Sequence, residues 1–314
     1  MILCATELRP LHGVGIDPLV RAVSDAGATG IHLGRGILLE ELGVLVPGVL
    51  RSGLLIPSMA LPLAPRALAP RKRLPSLAGS DPEERAAAVA LVLEGLEAGV
   101  AAGVRCAWLD FGPVALPVAR RDVAAFYARR ALGAGEAGEG ELAVALGARK
   151  AQSERLGDAA RWSLERLVRP AEARSVSLVV NVGGSPWEVP SAREALALVE
   201  AFEGAPVAPL WDPGRLSAAR ALGLTLPEAR VKAVVERAGA ALETDAVGVT
   251  AGYLPGLGER DPELPARAPL AKGAPVVVGG FPDSTDEEIA RAVARVTALY
   301  EAPEPEPDAS PAKT

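Results

Sequence analysis

Several things are scarce in this chain, and each scarcity closes a class of protein. Among 314 residues there are two cysteines, and aromatics make up 4%. Cys4 and Cys106 each lie inside an apolar, strand-like run. Two such thiols cannot form a disulfide-built scaffold and read as buried groups of a reducing compartment, with a single bridge between them as the alternative. No stretch of about 18 residues is uniformly apolar, so no membrane-spanning helix is expected. No charged segment followed by an apolar run opens the chain, so no signal peptide is read and the expected location is the cytoplasm. Net charge is −6 and the pI about 5.3, which leaves no basic excess for nucleic acid. The one basic run, Arg71-Lys72-Arg73, sits in a Pro-rich loop and reads as solvated charge. A G-x-G-x-x-G after the first strand, a P-loop, a CxxC pair and a Ser-His-Asp elbow are all missing.

What remains is a chain 49% hydrophobic and 23% charged, able to bury a large core. Its organising stretch is residues 175–216. Two apolar runs, 176-VSLVV-180 and 207-VAPLW-211, each end abruptly in polar residues. Asn181 follows the first, and Asp212 with Arg215 follows the second. Ser191 and Glu194, at capping-box spacing, start a helix between them. Strands are read at 2–8, 30–34, 53–59, 104–111, 176–180, 207–211, 246–250 and 275–279, with a helix between nearly every pair. Residues 229–235 read equally as strand or helix. Continuous apolar strands alternating with helices describe a parallel sheet covered on both faces. Eight repeats in about 300 residues point to a single-domain α/β protein, a (β/α)8 TIM barrel over residues 1–300. A doubly wound sheet is the alternative.

Asp17-Pro18, Asp81-Pro82 and Thr285 with Glu288 mark helix starts. Insertions are read at about 60–80 and 112–157. The second is expected to hold a helix near 122–132 and a mobile Gly-Glu-rich stretch at 133–141. The tail 301–314 is disordered by composition.

In a barrel, residues just past each strand face one mouth. They are Glu7, His12, Arg35, Ser58, Asp110, Asn181, Asp212 with Arg215, Tyr253, Phe281 and Asp283. His32 lies within a strand, where a core role competes with a site role. Trp108, Trp187 and Trp211 near strand ends offer faces for a sugar ring, against a default of packing. Gly183-Gly184-Ser185 is a weak phosphate cradle. Gly279-Gly280 is not one, because Asp283, Asp286, Glu287 and Glu288 would repel a dianion. Asp212 and Arg215, three apart across Pro213-Gly214, are placed to pair, and pairing should lower the carboxyl pKa.

The order of these phrases resembles the xylose isomerase-like barrels, which include sugar phosphate isomerases and epimerases and the endonuclease IV relatives. The likeness covers about residues 1–300. It rests on 26-AGATGIHL-33, 176-VSLVVNVGG-184, 210-LWDPGRL-216, 254-LPGLGERD-261 and 276-VVVGGF-281. The resemblance implies a divalent metal held by carboxylates and imidazoles. Here His32 and Asn181 stand where the family has Glu, Arg215 stands at a His position, and Gly279-Gly280 replaces a terminal Glu, while Asp212 is kept. Two readings follow. In one, the barrel binds a small polyhydroxy or anionic ligand, with no nucleic acid or membrane partner, and lacks family-type metal catalysis. In the other, it is an active isomerase or epimerase with a divergent site. Asp212 and Glu7 are then the catalytic candidates, and Arg215, Asn181, His12, Asp110 and Trp211 the ligand-binding ones. No metal ligand set is assigned and no cofactor is expected, although a divalent metal is possible through a substitute cluster of Glu7, His12, His32 and Asp110.

Overall fold

The computed structural model describes residues 1–8, 15–66, 74–122, 125, 139–222, 224, 227–247 and 250–302. Its strands are β1 (Ile2–Ala5), β2 (Gly30–Leu33), β3 (Leu55–Leu61), β4 (Cys106–Leu109), β5 (Ser177–Val180), β6 (Val207–Trp211), β7 (Ala240–Glu243), β8 (Asp245–Val247), β9 (Thr250–Tyr253) and β10 (Val276–Val278). Eight of them close a barrel in the order β1-β10-β7-β6-β5-β4-β3-β2, every pair parallel. The helices are α1 (Asp17–Asp25), α2 (Leu42–Arg51), α3 (Pro82–Ala101), α4 (Glu139–Ala151), α5 (Ser153–Ala173), α6 (Ala192–Ala201), α7 (Pro213–Ala221), α8 (Glu228–Arg237) and α9 (Asp286–Glu301). Among the described residues no helix is long and apolar enough to cross a membrane.

Strand alternation divides the core in two. Leu3, Ala5, Cys106, Trp108, Val179 and Leu210 point into the barrel. Their neighbours Cys4, Ala107, Leu109, Val180 and Trp211 point outward, against the helices. Both faces are buried, so the strands carry no polar alternation in the sequence. Cys4 and Cys106 are both free, on opposite sides of this wall.

Two expectations about elements need correction. The seventh barrel strand is 240–243, and of the stretch expected there 246–247 lie in β8 and 250 in β9, which pair antiparallel on the rim. The ambiguous 229–235 is helix α8, which leads into the true strand. Asp17 is the first residue of α1 and makes no cap bond; Ile16 holds the N-cap position. The capping boxes at Ser191/Glu194 and Thr285/Glu288 are both formed.

The second insertion carries helix α4. Residues 139–141 open α4, so they are helical rather than loop. Trp187 ties the insertion to the barrel rim: its indole N–H donates to Val118 O at 2.9 Å, and Val114 N–H donates to Trp187 O at 2.8 Å. In the first insertion, Ser76 Oγ donates to Phe111 O and Ser163 Oγ to Leu77 O, which pins residues 76–77 beneath α5. Residues 122 and 125 of the helix expected near 122–132 are helical, while the rest of it, most of 133–141 and residues 303–314 lie outside the described residues.

Candidate functional site

The C-terminal mouth of the barrel opens into two chambers. The outer, of about 340 Å³, is lined by charged rim residues including Arg35, Arg120, Glu188, Asp212 and Arg215. The inner, of about 160 Å³, reaches strand level at Ala5, Ala60, Trp108 and Leu242. Arg35, Arg215, Leu242, Thr244 and Gly252 line both, so the chambers form one continuous site.

Asp212 is its pivot. It follows β6 with an extended backbone and caps α7, with Pro213 in the first turn. Its Oδ1 accepts from Arg215 N–H at 3.0 Å and from the Thr244 hydroxyl at 2.9 Å. Thr244 comes this close because Gly214 has no side chain; a Cβ there would lie 2.2 Å from the hydroxyl. Oδ2 lies 3.1 Å from Arg215 Nε in an ion pair. The expected pairing is therefore present and acts to lower the carboxyl pKa, but the net shift is upward, the reverse of that expected. Burial raises the Asp212 pKa and outweighs the guanidinium and the two hydrogen bonds. Burial alone would lower Arg215, but the carboxylates of Glu188, Asp212 and Asp110 together raise it, so it is a permanent cation.

Glu188 was not singled out in the sequence, yet it organises the outer chamber. Its Oε2 accepts from Gly184 N–H at 2.8 Å and from Ser185 Oγ at 3.1 Å, and its Oε1 faces Arg120 at 3.6 Å and Arg215 at 3.8 Å. Burial pushes its pKa up, but the two guanidiniums and the donors outweigh this and hold it below the usual carboxylate range. The loop 183–185 is thus already occupied by a carboxylate from its own chain, and the phosphate reading falls. The available signal was the Ser-x-x-Glu spacing of 185-SPWE-188. Thr244 and Arg120 had no local signal.

The remaining candidates divide. Glu7 lies over Gly34, accepting from Arg35 N–H at 2.9 Å and from Thr6 Oγ1 at 3.4 Å. It lines the inner chamber as an anchored carboxyl that fixes the end of β2. Asp110 pairs with the Arg35 guanidinium and accepts from Gly112 N–H at 3.0 Å. Asn181 lines the inner chamber, 6% exposed, and its Oδ1 has no hydrogen-bond partner among the described residues. It sits on the strand beside that of Asp212, at the same mouth. His32 is both core and site. Its Nδ1 lies 2.9 Å from Ser58 Oγ and its ring stacks on Trp108 at 4.0 Å, while burial lowers its pKa to about 3. It is a neutral wall of the inner chamber.

Trp211 must be corrected: it is 0% exposed and packed in the outer core, because it alternates with Leu210 and Asp212. Trp187 packs with Ala145 and Leu222 on the rim. Tyr253 and Phe281 meet edge to face at 4.8 Å. His12 lies outside the described residues.

No protein-family model matches this sequence, and no curated protein matches it significantly. Solved structures do. The chain is similar to the E. coli 3-keto-D-glucoside 4-epimerase YcjR, with a TM-score of 0.62 at 12% identity over 95% of this chain and 98% of that one. A D-allulose 3-epimerase from Methylomonas sp., in complex with D-allulose, gives 0.63 at 14% identity over 95% and 96%. A xylose isomerase domain protein from Planctomyces limnophilus gives 0.55 at 13% identity over 95% of both chains. The chain shares the closed (β/α)8 barrel fold of these proteins. At these identities the likeness establishes architecture, and the site must be argued from its own residues.

The resemblance to xylose isomerase-like barrels implies a divalent cation at the mouth, and the side chains of the described residues do not suit one. Among the described residues no three of His, Cys, Asp and Glu converge to hold a metal. Asp212 already spends Oδ1 on two donors, and its Oδ2 faces a fixed cation. Hard divalent ions need several converging oxygens free of positive charge.

Proposed function

We propose that the mouth binds a small, uncharged polyhydroxy molecule, a sugar or close derivative, without metal-dependent chemistry. The carrying observation is the charge balance of the mouth. Arg35, Arg120 and Arg215 face Asp110, Glu188 and Asp212, each arginine already paired with at least one carboxylate. Glu7 adds a further acid at the inner chamber. Among the described residues such a surface has no surplus positive charge for a phosphate. Its alternating fixed donors and acceptors suit hydroxyl groups, which donate and accept at once. The similar epimerase that holds D-allulose supports the same class of ligand. In this reading Arg215, Asp212 and Glu188 are the rim contacts and Asn181 the deep one. The metal site is degenerate, and the free, buried Cys4 and Cys106 favour a cytoplasmic setting.

The test is thermal melting against a panel of neutral hexoses, hexose phosphates and hexuronates, with and without manganese. A neutral sugar at a hundredfold excess over its dissociation constant should add about 2.7 kcal/mol. That stabilisation should be independent of metal and lost in Arg215→Met. Stabilisation by phosphates alone, or only with metal, would overturn the proposal.

One observation favours a second reading, an active isomerase or epimerase. Asp212 is a buried carboxyl with a raised pKa beside the cavity, as a group that exchanges protons would be. Incubating the protein with ketohexoses in D2O and following loss of carbon-bound protons by NMR decides it. Exchange that disappears in Asp212→Asn establishes catalysis.

A further inference from the structure

The two chambers of the mouth present different surfaces. The outer exposes mostly polar atoms, from the rim arginines and carboxylates, whereas the inner exposes mostly carbon. The difference follows from which elements supply each wall. The deep wall of the inner chamber comes from strand residues, Ala5 on β1, Ala60 on β3, Trp108 on β4 and Leu242 on β7. The charged residues that border it, Glu7, Arg35 and Arg215, come from beyond the strand ends and are engaged there. Arg35 pairs with Asp110, Glu7 accepts from Arg35 N–H, and Arg215 is tied to Asp212 and Glu188. Two polar atoms of the wall, Asn181 Oδ1 and Trp108 Nε1, have no hydrogen-bond partner among the described residues, but both are covered by their surroundings. Neither is available to select a hydroxyl group. His32 adds a neutral ring stacked on Trp108. Beneath, Leu3, Cys106, Val179 and Leu210 fill the barrel, so the chamber has a closed floor.

A sugar ring in this chamber would set its hydroxyls against hydrocarbon and lose their hydration without replacement. An apolar group would gain there. The volume of about 160 Å³ suits one small ring, since an apolar cavity of about 150 Å³ takes up benzene. The outer chamber, about 340 Å³, is large enough for a sugar and offers the paired donors and acceptors that its hydroxyls need.

We infer that the inner chamber is an aglycone subsite: the ligand is a glycoside whose sugar lies in the outer chamber and whose apolar substituent, a single ring of benzene size, enters the inner one. The ring packs on the methyls of Ala5 and Ala60 and on the Trp108 indole. The linkage to the sugar passes Leu242 and Arg215, which line both chambers. This rests on the sugar-binding reading and names its substrate class.

The experiment is isothermal titration of the full chain with methyl, phenyl and 4-biphenylyl glycosides of D-glucose and D-galactose, beside the free sugars. At least one phenyl glycoside should bind about tenfold tighter than its methyl counterpart, from the apolar area it buries. The 4-biphenylyl glycoside should bind no tighter than the phenyl one, because the closed floor leaves no room for a second ring. Ala60→Leu and Ala5→Leu fill the chamber from two different strands, and either should erase the phenyl preference in protein that melts cooperatively. If neither variant folds, the biphenylyl comparison on wild type decides alone, since adventitious apolar binding would strengthen with the second ring. Phenyl and methyl glycosides of equal affinity, a preference that survives both substitutions, or a further gain with biphenylyl would overturn the subsite and leave the sugar-binding reading intact. If no free sugar and no glycoside binds, the sugar-binding reading itself fails and the subsite with it.

Discussion

The two faces of strand β7 carry two buried polar clusters, and they behave differently. Outward, Glu243 is 0% exposed and fully used. Its Oε2 accepts from Arg260 Nη2 at 2.7 Å, and its Oε1 accepts from the Tyr300 hydroxyl at 2.7 Å. Asp245 beside it accepts from Gly256 N–H at 2.6 Å. This cluster ties the barrel wall to α9 and to the loop after the rim hairpin. Inward, Leu242 and Thr244 face the chambers, and Thr244 positions Asp212. There an acceptor is left over at Asn181, and space adjoins it. Both faces hold a carboxyl whose pKa burial raises, with an arginine beside it. The presence of a buried, perturbed pair therefore does not mark a site. What marks it is an unsatisfied group next to unfilled volume.

That contrast can be broken by mutation, and the largest effect is expected on the outward face. Glu243→Ala takes away the carboxylate that Arg260 and Tyr300 both bond to, leaving Arg260 only Asp245 Oδ1, at 3.6 Å, as a carboxylate partner among the described residues, and should cost about 3 kcal/mol in urea unfolding. Asp212→Ala removes a helix cap and one side of an ion pair beside a cavity that water can enter, and should cost about 1–2 kcal/mol. Equal costs would mean that the mouth is packed as tightly as the outer wall.

Next comes acid. His32 has its folded pKa lowered from 6.5 to about 3, so the unfolded chain takes up the proton first. Its contribution is present above 6.5 and is lost as pH falls toward 3, at about 1.4 kcal/mol per pH unit where only the unfolded form is protonated. Stability measured between pH 7 and 5 should fall less steeply in His32→Gln than in wild type.

The two glutamates should show smaller effects of opposite sign. Glu188 is lowered in the fold, so its contribution is present above the ordinary carboxylate range and is lost as pH falls through its folded value. Glu243 is raised, so its contribution is present below that range and is lost as pH rises through its folded value. Glu188→Gln should flatten the loss of stability as pH falls, and Glu243→Gln the loss of stability as pH rises toward neutral. Profiles that move in the same direction would refute the assignment. Smallest of all is the metal effect. Manganese or zinc should leave the melting temperature of wild type and Asp212→Ala alike unchanged. A rise in wild type that vanishes in the mutant would restore a metal site.

Much of the barrel was legible because its strands are short apolar runs that end in polar residues, as at Val180-Asn181 and Trp211-Asp212. The seventh strand was missed because 240-AALE-243 is weakly apolar and ends in a charge. That charge is tolerated only through Arg260 and Tyr300, which lie 17 and 57 residues further on. The nearby 246-AVGVTAGY-253 has the better strand pattern, and it does form strands, but in the rim hairpin. Within the site, Asp212 with Arg215 was readable from spacing alone. Glu7 was placed correctly at the mouth, but its engagement by Arg35 N–H comes from 28 residues away.

By itself, the sequence determined the alternation of strand and helix, the helix caps at Ser191 and Thr285, and the Asp212 turn. All of these are set by interactions within a few residues, where chain entropy is small. Only the tertiary structure decided which side of a doubly buried strand each residue faces. Leu210, Trp211 and Asp212 look alike as the end of one apolar run, yet barrel closure sends Leu210 into the interior, Trp211 to the helices and Asp212 to the mouth. Barrel closure also brings Glu188, Thr244 and Arg215 to one cavity from three separate segments of the chain. Their charges are balanced by geometry that no local pattern of residues encodes.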